Sequence, residues 1–211
     1  MLTVGVEGAA VEAALVSGGL VCPGQGCGGR LAPWGWARAR SAREERGRVE
    51  LRPRRARCTG CGRTQVLLPA WVLLRRADAV AVIGAALLAK AGGLGHRRVA
   101  AAVGRPASTV RGWLRRMGQV ADRVLGVLAE VAAELGAGFV PPAPAATALG
   151  RVVEMVGALA RGLGRRLGGS CAPWRLAAVV TGGRLLAPGG PDHVAGQPDP
   201  ANTSWLLAAV G

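Results

Sequence analysis

The sequence predicts a mainly α-helical protein with a small β ribbon near its N-terminus and a helical C-terminal region ending in a disordered tail. Three observations predict it. Between residues 22 and 69 the chain is broken by glycine turns, two close cysteine pairs and short alternating runs such as Arg48-Val49-Glu50-Leu51, the pattern of short paired strands. Around Gly104, small and β-branched residues fall at the spacings of two short helices joined by a tight turn. Beyond that turn, apolar residues recur at helical intervals through much of the remaining chain.

Taken in order, residues 6–17 alternate apolar and small side chains at helical spacing and predict a short leading helix. The ribbon follows, with two or three short strands and with Trp34 and Trp36 among them. Residues 71–92 predict a helix, with Asp78 near the start of an Ala/Val/Ile/Leu run and Gly92-Gly93 stopping it. The helix-turn-helix comes next, and its second helix runs on to about Leu135. The Gly/Pro-rich stretch from Gly136 to Pro144 marks a boundary. Past it, residues 145–167 predict an amphipathic helix and Pro173 to Leu186 a shorter one. The Gly, Pro, Asp and Asn content from Pro188 to Pro200 predicts an unstructured tail. The domains so defined are a leading helix and ribbon over 1–70, a helix-turn-helix unit with an extended last helix over 71–136, and a helical region with a flexible tail over 137–211.

Composition bounds the partners. The chain has a single Lys against 26 Arg, one Phe and no Tyr among 211 residues, a skew typical of a GC-rich genome and uninformative about mechanism. The formal net charge of +15 is unevenly placed, with +14 on residues 1–118 and +1 on the rest. That asymmetry is the footprint of a polyanion-binding half. Glu7 and Glu12 and the lack of a positive flank argue against a secretory signal. The longest apolar run stops at Lys90, short of the ~20 residues that a spanning helix needs. The expectation is a cytoplasmic, nucleoid-associated protein, a reducing setting in which close cysteine pairs favour metal over disulfide.

The pairs are Cys22-Pro-Gly-Gln-Gly-Cys27 and Cys58-Thr-Gly-Cys61-Gly62. Two tight turns that each present two thiolates satisfy the tetrahedral preference of zinc, and a site filled by four protein ligands is structural. Gly62 lets the second turn fold back on itself, and the one proline and two glycines of the first close its wider gap. Cys22, Cys27, Cys58 and Cys61 are therefore the predicted ligands of one structural Zn²⁺. Cys171 reads as a small buried residue, His96 as a turn residue and His193 as a tail residue. The arginines between the pairs, Arg54, Arg55 and Arg57 among them, suit phosphate oxygens through their planar fork.

At the helical turn, Gly104 is the pivot and Ala100 allows close crossing. Val99, Val103, Val110, Trp113 and Leu114 supply the apolar contacts, and Pro106 presets the opening of the second helix. That helix exposes Ser108, Thr109, Arg111, Arg115 and Arg116. Entering the major groove of double-stranded DNA, it would bring Arg111 to guanine O6 and N7. Arg97, Arg98 and Arg116 would contact phosphates, which position without specifying, and Arg105 is a further expected DNA-binding residue. Met117, Val124 and Val131 alternate with Ala121, Leu128 and Leu135 as heptad positions. They would pair two copies in a homodimer through residues 117–135, or pack within the chain on Leu149, Val153, Val156, Leu159 and Leu163.

Several of these runs resemble a family. Cys22-Pro23, Pro33-Trp34-Gly35-Trp36, Arg54 through Thr64 and Leu67-Leu68-Pro69 look like the zinc-ribbon head of insertion-sequence transposases. Gly95 through Ala100 and Ser108 through Arg116 are similar to their helix-turn-helix. More narrowly, the chain resembles stand-alone ribbon-plus-helix-turn-helix proteins of a transposase-like family over about residues 18–118. The resemblance implies a zinc-dependent DNA-binding protein that recognises the ends of a mobile element, acting as a regulator or as an accessory to a partner transposase. Catalytic members carry three carboxylates on an RNase H-like fold that binds two Mg²⁺ ions. Here residues 119–211 offer only Asp122, Glu130, Glu134, Glu154, Asp192 and Asp199, with little strand pattern. The expectation is a non-catalytic protein; the alternatives are a catalytic recombinase and a protein-binding zinc-ribbon adaptor.

Overall fold

The structure is a computed structural model that describes residues 1–136 and 139–188. Most of the predicted tail, with Asp192, His193 and Asp199, lies outside the described residues. The described residues are 46% helical and 19% strand, with six helices and two sheets among them, so the class is mixed α/β and the mainly α expectation is corrected. The physical reason lies in the ribbon, where strands form from residues with weak β preference. β3 (Arg40–Glu44) and β5 (Arg54–Cys58) read Arg-Ser-Ala-Arg-Glu and Arg-Arg-Ala-Arg-Cys, with Ala42 and Ala56 as their fully buried side chains. Alternation this sparse is invisible to a hydrophobic pattern, and long-range hydrogen bonding supplies what propensity does not.

Four strands make the main sheet. β2 (Leu31–Trp36), β5 and β6 (Thr64–Pro69) pair antiparallel, and β1 (Leu2–Val4) adds to β6 in parallel, giving the order β1-β6-β5-β2. β3 and β4 (Gly47–Leu51) form a separate hairpin whose turn is closed by Gly47 at φ 109°. The leading helix α1 (Gly8–Val16) lies inside the predicted 6–17 span and buries Leu15. Leu15 joins Val4, Leu20, Leu31, Ala56 and Leu67 in a small core that also contains Cys22 and Cys58.

A larger core begins after the ribbon and unites the remaining helices. α2 (Val80–Ala91) starts later than the predicted residue 71. Residues 71–79 form a turn instead, with Val72 bridged to Ala79 and the Val80 N–H donating to the Trp71 carbonyl. Asp78, expected inside the helix, is buried just ahead of it and bonded to two arginines. α3 (His96–Ala102) and α4 (Ala107–Leu135) flank Gly104, and α4 reaches the predicted Leu135. α5 (Ala148–Leu167) is capped by Thr147 Oγ1, which accepts from the Gly150 N–H at 3.0 Å, and Gly168 ends it in the left-handed region. α6 (Pro173–Val180) carries Trp174 onto Gly84 of α2. The heptad residues Met117, Ala121, Val124 and Leu128 are buried in this core together with Val152, Val153, Val156 and Leu159 of α5.

Candidate functional site

The two cysteine turns meet at the end of the sheet. The Sγ atoms of Cys22, Cys27, Cys58 and Cys61 all lie within 4.8 Å of one another. The closest approaches cross between the turns, 3.8 Å for Cys22 to Cys61 and 3.5 Å for Cys27 to Cys58. A metal ion at the usual Zn–S distance of about 2.3 Å sets tetrahedral sulfur–sulfur edges of about 3.8 Å. The four sulfurs therefore stand close enough to hold one metal ion, and the all-thiolate set has no open place for a substrate.

Local sequence makes the cluster. Leu31 and Cys58 are register partners, so the β2–β5 pairing brings the first turn against the second. Within the second turn, the Gly60 and Cys61 N–H groups donate to Cys58 Sγ at 3.3 and 3.4 Å. Gly29 is indispensable in another way, since a Cβ there would stand 2.6 Å from Cys58 Sγ and 3.0 Å from the Gly60 nitrogen. The Cys58 thiol is held down to about 6, first by the Cys61 N–H and then by that of Gly60. Burial acts the other way on Cys22 and pushes it up to about 12. A bound cation would displace the thiol proton of Cys22.

The β2 edge of the sheet carries an aromatic ring beside a cation on each of its two faces. Trp34 and Trp36 are 50% and 52% exposed. The Arg57 guanidinium lies over Trp34 at 4.6 Å from the ring centre, and that of Arg54 over Trp36 at 4.8 Å. Arg54 is fixed from behind by a bidentate pair to Glu12 at 2.8 and 2.9 Å and by the Gly35 carbonyl at 2.8 Å. Arg57 donates to the Gly62 carbonyl at 3.2 Å. Arg55 is half-buried, and its Nε has no hydrogen-bond partner among the described residues.

The helical hairpin closes in a Schellman turn. The Arg105 N–H reaches back to the Ala100 carbonyl at 3.0 Å and the Gly104 N–H to that of Ala101 at 3.3 Å. Gly104 takes φ 63°, where other residues are strained. Val99, Ala100, Val110 and Trp113 are buried between the helices, and Val103 and Leu114 pack against them. Outward, Ser108, Arg111 and Arg115 are exposed on one stripe of α4, three and four residues apart. Arg97 and Arg98 are exposed on α3, while Thr109 and Arg116 are half-covered.

Arg105 sits differently from these. Its side chain is 11% exposed, with Nε on Asp78 Oδ1 at 2.6 Å and Nη2 on the Glu44 carbonyl at 2.6 Å. Like Arg54, it is held by an internal ion pair. Sequence reasoning passed over Asp78 as a helix-start residue, over Glu12 as a tether and over the tryptophan–arginine stacks. The last were hidden because the register shift between Pro33 and Trp36 breaks the alternation of β2, leaving Trp34 with Arg57 on one face and Trp36 with Arg54 on the other.

Comparison with protein-family models, with curated proteins and with solved structures gives no match to this chain. Among the described residues no helix is long and apolar enough to cross a membrane.

Proposed function

We propose that this protein is a zinc-dependent, sequence-specific binder of double-stranded DNA without catalytic activity of its own. The observation that carries the reading is the exposed stripe of Ser108, Arg111 and Arg115 on the first turns of α4, directly after a glycine-closed helical turn. A helix N-terminus presented this way fits the major groove, and Arg111 has the bidentate fork that pairs guanine. Arg97 and Arg98 flank it for phosphates. Arg105 and Arg54 are left out of the contact set, because their guanidiniums already hold Asp78 and Glu12.

Zinc is the metal of choice for an all-thiolate tetrahedral set. Its role is to order the ribbon, whose apolar core is small, and to present Arg55 and Arg57 to the backbone. The transposase-like character rests on the resemblance of residues 18–118, and with it the role of accessory to a partner transposase or of transcriptional regulator.

Selection of the zinc-loaded protein against a random duplex library tests the reading. An enriched motif is the expected result, and its symmetry would tell whether two copies bind together. No enrichment by folded, metal-loaded protein would overturn sequence-specific binding.

A further inference from the structure

We infer that Cys61 is a site of oxidation by hydroperoxides, and that Cys22 closes a disulfide on it across the two cysteine turns. The same oxidation then joins Cys27 to Cys58, so that the turns become linked covalently. The inference rests on the zinc-binding part of the proposed function for the metal it displaces, and it is independent of DNA binding.

The four cysteines differ in their surroundings. Cys61 is exposed, Cys27 half-buried, and Cys22 and Cys58 are buried. An oxidant in solution therefore meets Cys61 first. Cys58 is shielded further, since its sulfur accepts from the Gly60 and Cys61 N–H groups and has Gly29 packed against it. Such bonds stabilise the thiolate and so blunt its attack. Cationic groups border both turns. Arg57 donates to the Gly62 carbonyl at 3.2 Å, and Arg63 Nη1 stands 4.0 Å from where a Cβ of Gly24 would lie. Guanidiniums so placed favour a thiolate and the hydroxide that leaves from it.

The Cys61 thiolate attacks one oxygen of hydrogen peroxide; an S–O bond forms, the O–O bond breaks and hydroxide departs. The sulfur becomes a sulfenic acid, oxidised by two electrons, and the peroxide is reduced by two. Cys22 Sγ is 3.8 Å away. Its thiolate attacks the oxidised sulfur, forming the S–S bond as the S–O bond breaks and a second hydroxide leaves. Two thiolates and one peroxide have then become one disulfide and two hydroxides. A second equivalent repeats the steps from Cys27, whose sulfur is 3.5 Å from that of Cys58. A metal whose ligands are consumed in this way is released.

The pairing decides what happens to the ribbon. Both bridges cross from one turn to the other, over sequence separations of 39 and 31 residues. They hold the turns together as the metal does, whereas bridges within each turn would close small rings and tie nothing. Cys171, half-buried and with its thiol pushed up to about 11 by burial, stands apart from this chemistry.

The test treats the metal-loaded full chain, its zinc content measured beforehand, with one and then two equivalents of hydrogen peroxide. Peptide mapping without reductant should find Cys22–Cys61 first and Cys27–Cys58 second, with Cys171 free and zinc captured by a chromogenic chelator. Dimedone added with the first equivalent should label Cys61 in the unaltered protein. Cys61→Ser should slow peroxide consumption at least about tenfold, and Cys171→Ser should leave it unchanged. Amides of β5 and β6 should stay protected from exchange after oxidation and lose protection when the reduced protein is chelated. Bridges confined within the turns, labelling that begins at Cys171, or a ribbon that unfolds on oxidation would overturn the proposal. Protein that holds no zinc yet forms the crossed bridges would count against the zinc reading and support this pairing.

Discussion

Arg105 donates from Nε to Asp78 Oδ1 at 2.6 Å, which pins the residue after the helical turn to the segment leading into α2. The same carboxylate accepts from Arg43 on the ribbon hairpin, Nε to Oδ1 at 3.0 Å and Nη2 to Oδ2 at 2.8 Å. Asp78 is 2% exposed, and a carboxylate so removed from water is tolerable as an anion only when fully paired. Arg105 also reaches the Glu44 carbonyl at the tip of β3. The ribbon hairpin and the helix-turn-helix are thus tied at a single buried acid.

Asp78→Ala should accordingly cost about 3–5 kcal/mol, because it strands two guanidiniums at once. Arg43→Ala should cost less, about 1 kcal/mol, since solvent screens a side chain that is 38% exposed. Urea unfolding of both variants checks the ranking, and equal losses would contradict it.

Removing the metal, or replacing Cys58 and Cys61 by Ser, should unfold the ribbon first. Its core has eight buried residues, two of them ligand candidates, whereas the helical core is far larger and has no cysteine among its fully buried members. Small cores need such a clip. Hydrogen exchange should show amides of β5 and β6 losing protection while those of α4 and α5 keep it. Unchanged protection in the ribbon would show that the cysteines do not hold it.

Metal affinity should rise with pH. The Cys22 thiol, pushed up to about 12, is protonated at neutral pH and must release its proton to become a ligand, which alone gives about a tenfold gain per pH unit. Cys58, held down to about 6, is already a thiolate above that pH and adds its own dependence only below it. The slope should therefore steepen on acidification through pH 6. Competition with a chromogenic chelator between pH 5 and about 8 reads it. A flat profile would rule out thiolate ligation.

Gly84→Ala should destabilise the helical core, because a Cβ there would come within 2.2 Å of the Trp174 ring. The ring is large and held between α2 and α6, so the strain is of the overpacking kind, about 1–3 kcal/mol or more. Trp174→Leu in the same chain should recover part of the loss. A double variant no more stable than Gly84→Ala would remove the clash as the cause.

What was legible in the sequence was what local chemistry determines. The Gly104 turn announced itself because Ala100, Val99, Val110 and Trp113 must stand where they do for two helices to cross, and all four are buried. The cysteines were legible because their spacing alone closes two loops. The first strand was not, since β1 finds its partner more than sixty residues away, with Leu2 opposite Leu67, and nothing in Leu-Thr-Val marks it as a strand. Asp78 was misplaced for a related reason. Its partners, Arg43 and Arg105, stand on either side of it at long range, and only the fold brings them together.

The two classes of arginine on the helix-turn-helix should separate in binding. Arg111 stands exposed on the α4 stripe, so Arg111→Ala should relax preference at one base position by about 1–3 kcal/mol while barely changing affinity for random duplex. Arg98 is exposed on α3, beside that stripe and without a place on it. Arg98→Ala should weaken cognate and random duplexes alike and lower the slope of affinity against salt by about one. Titrations of each variant at several salt concentrations, with the selected motif and a scrambled duplex, separate the two effects. If both variants lost the same factor on both duplexes, the stripe would be an electrostatic surface with no reading function. The sequence-specific reading would then fail even with DNA binding intact.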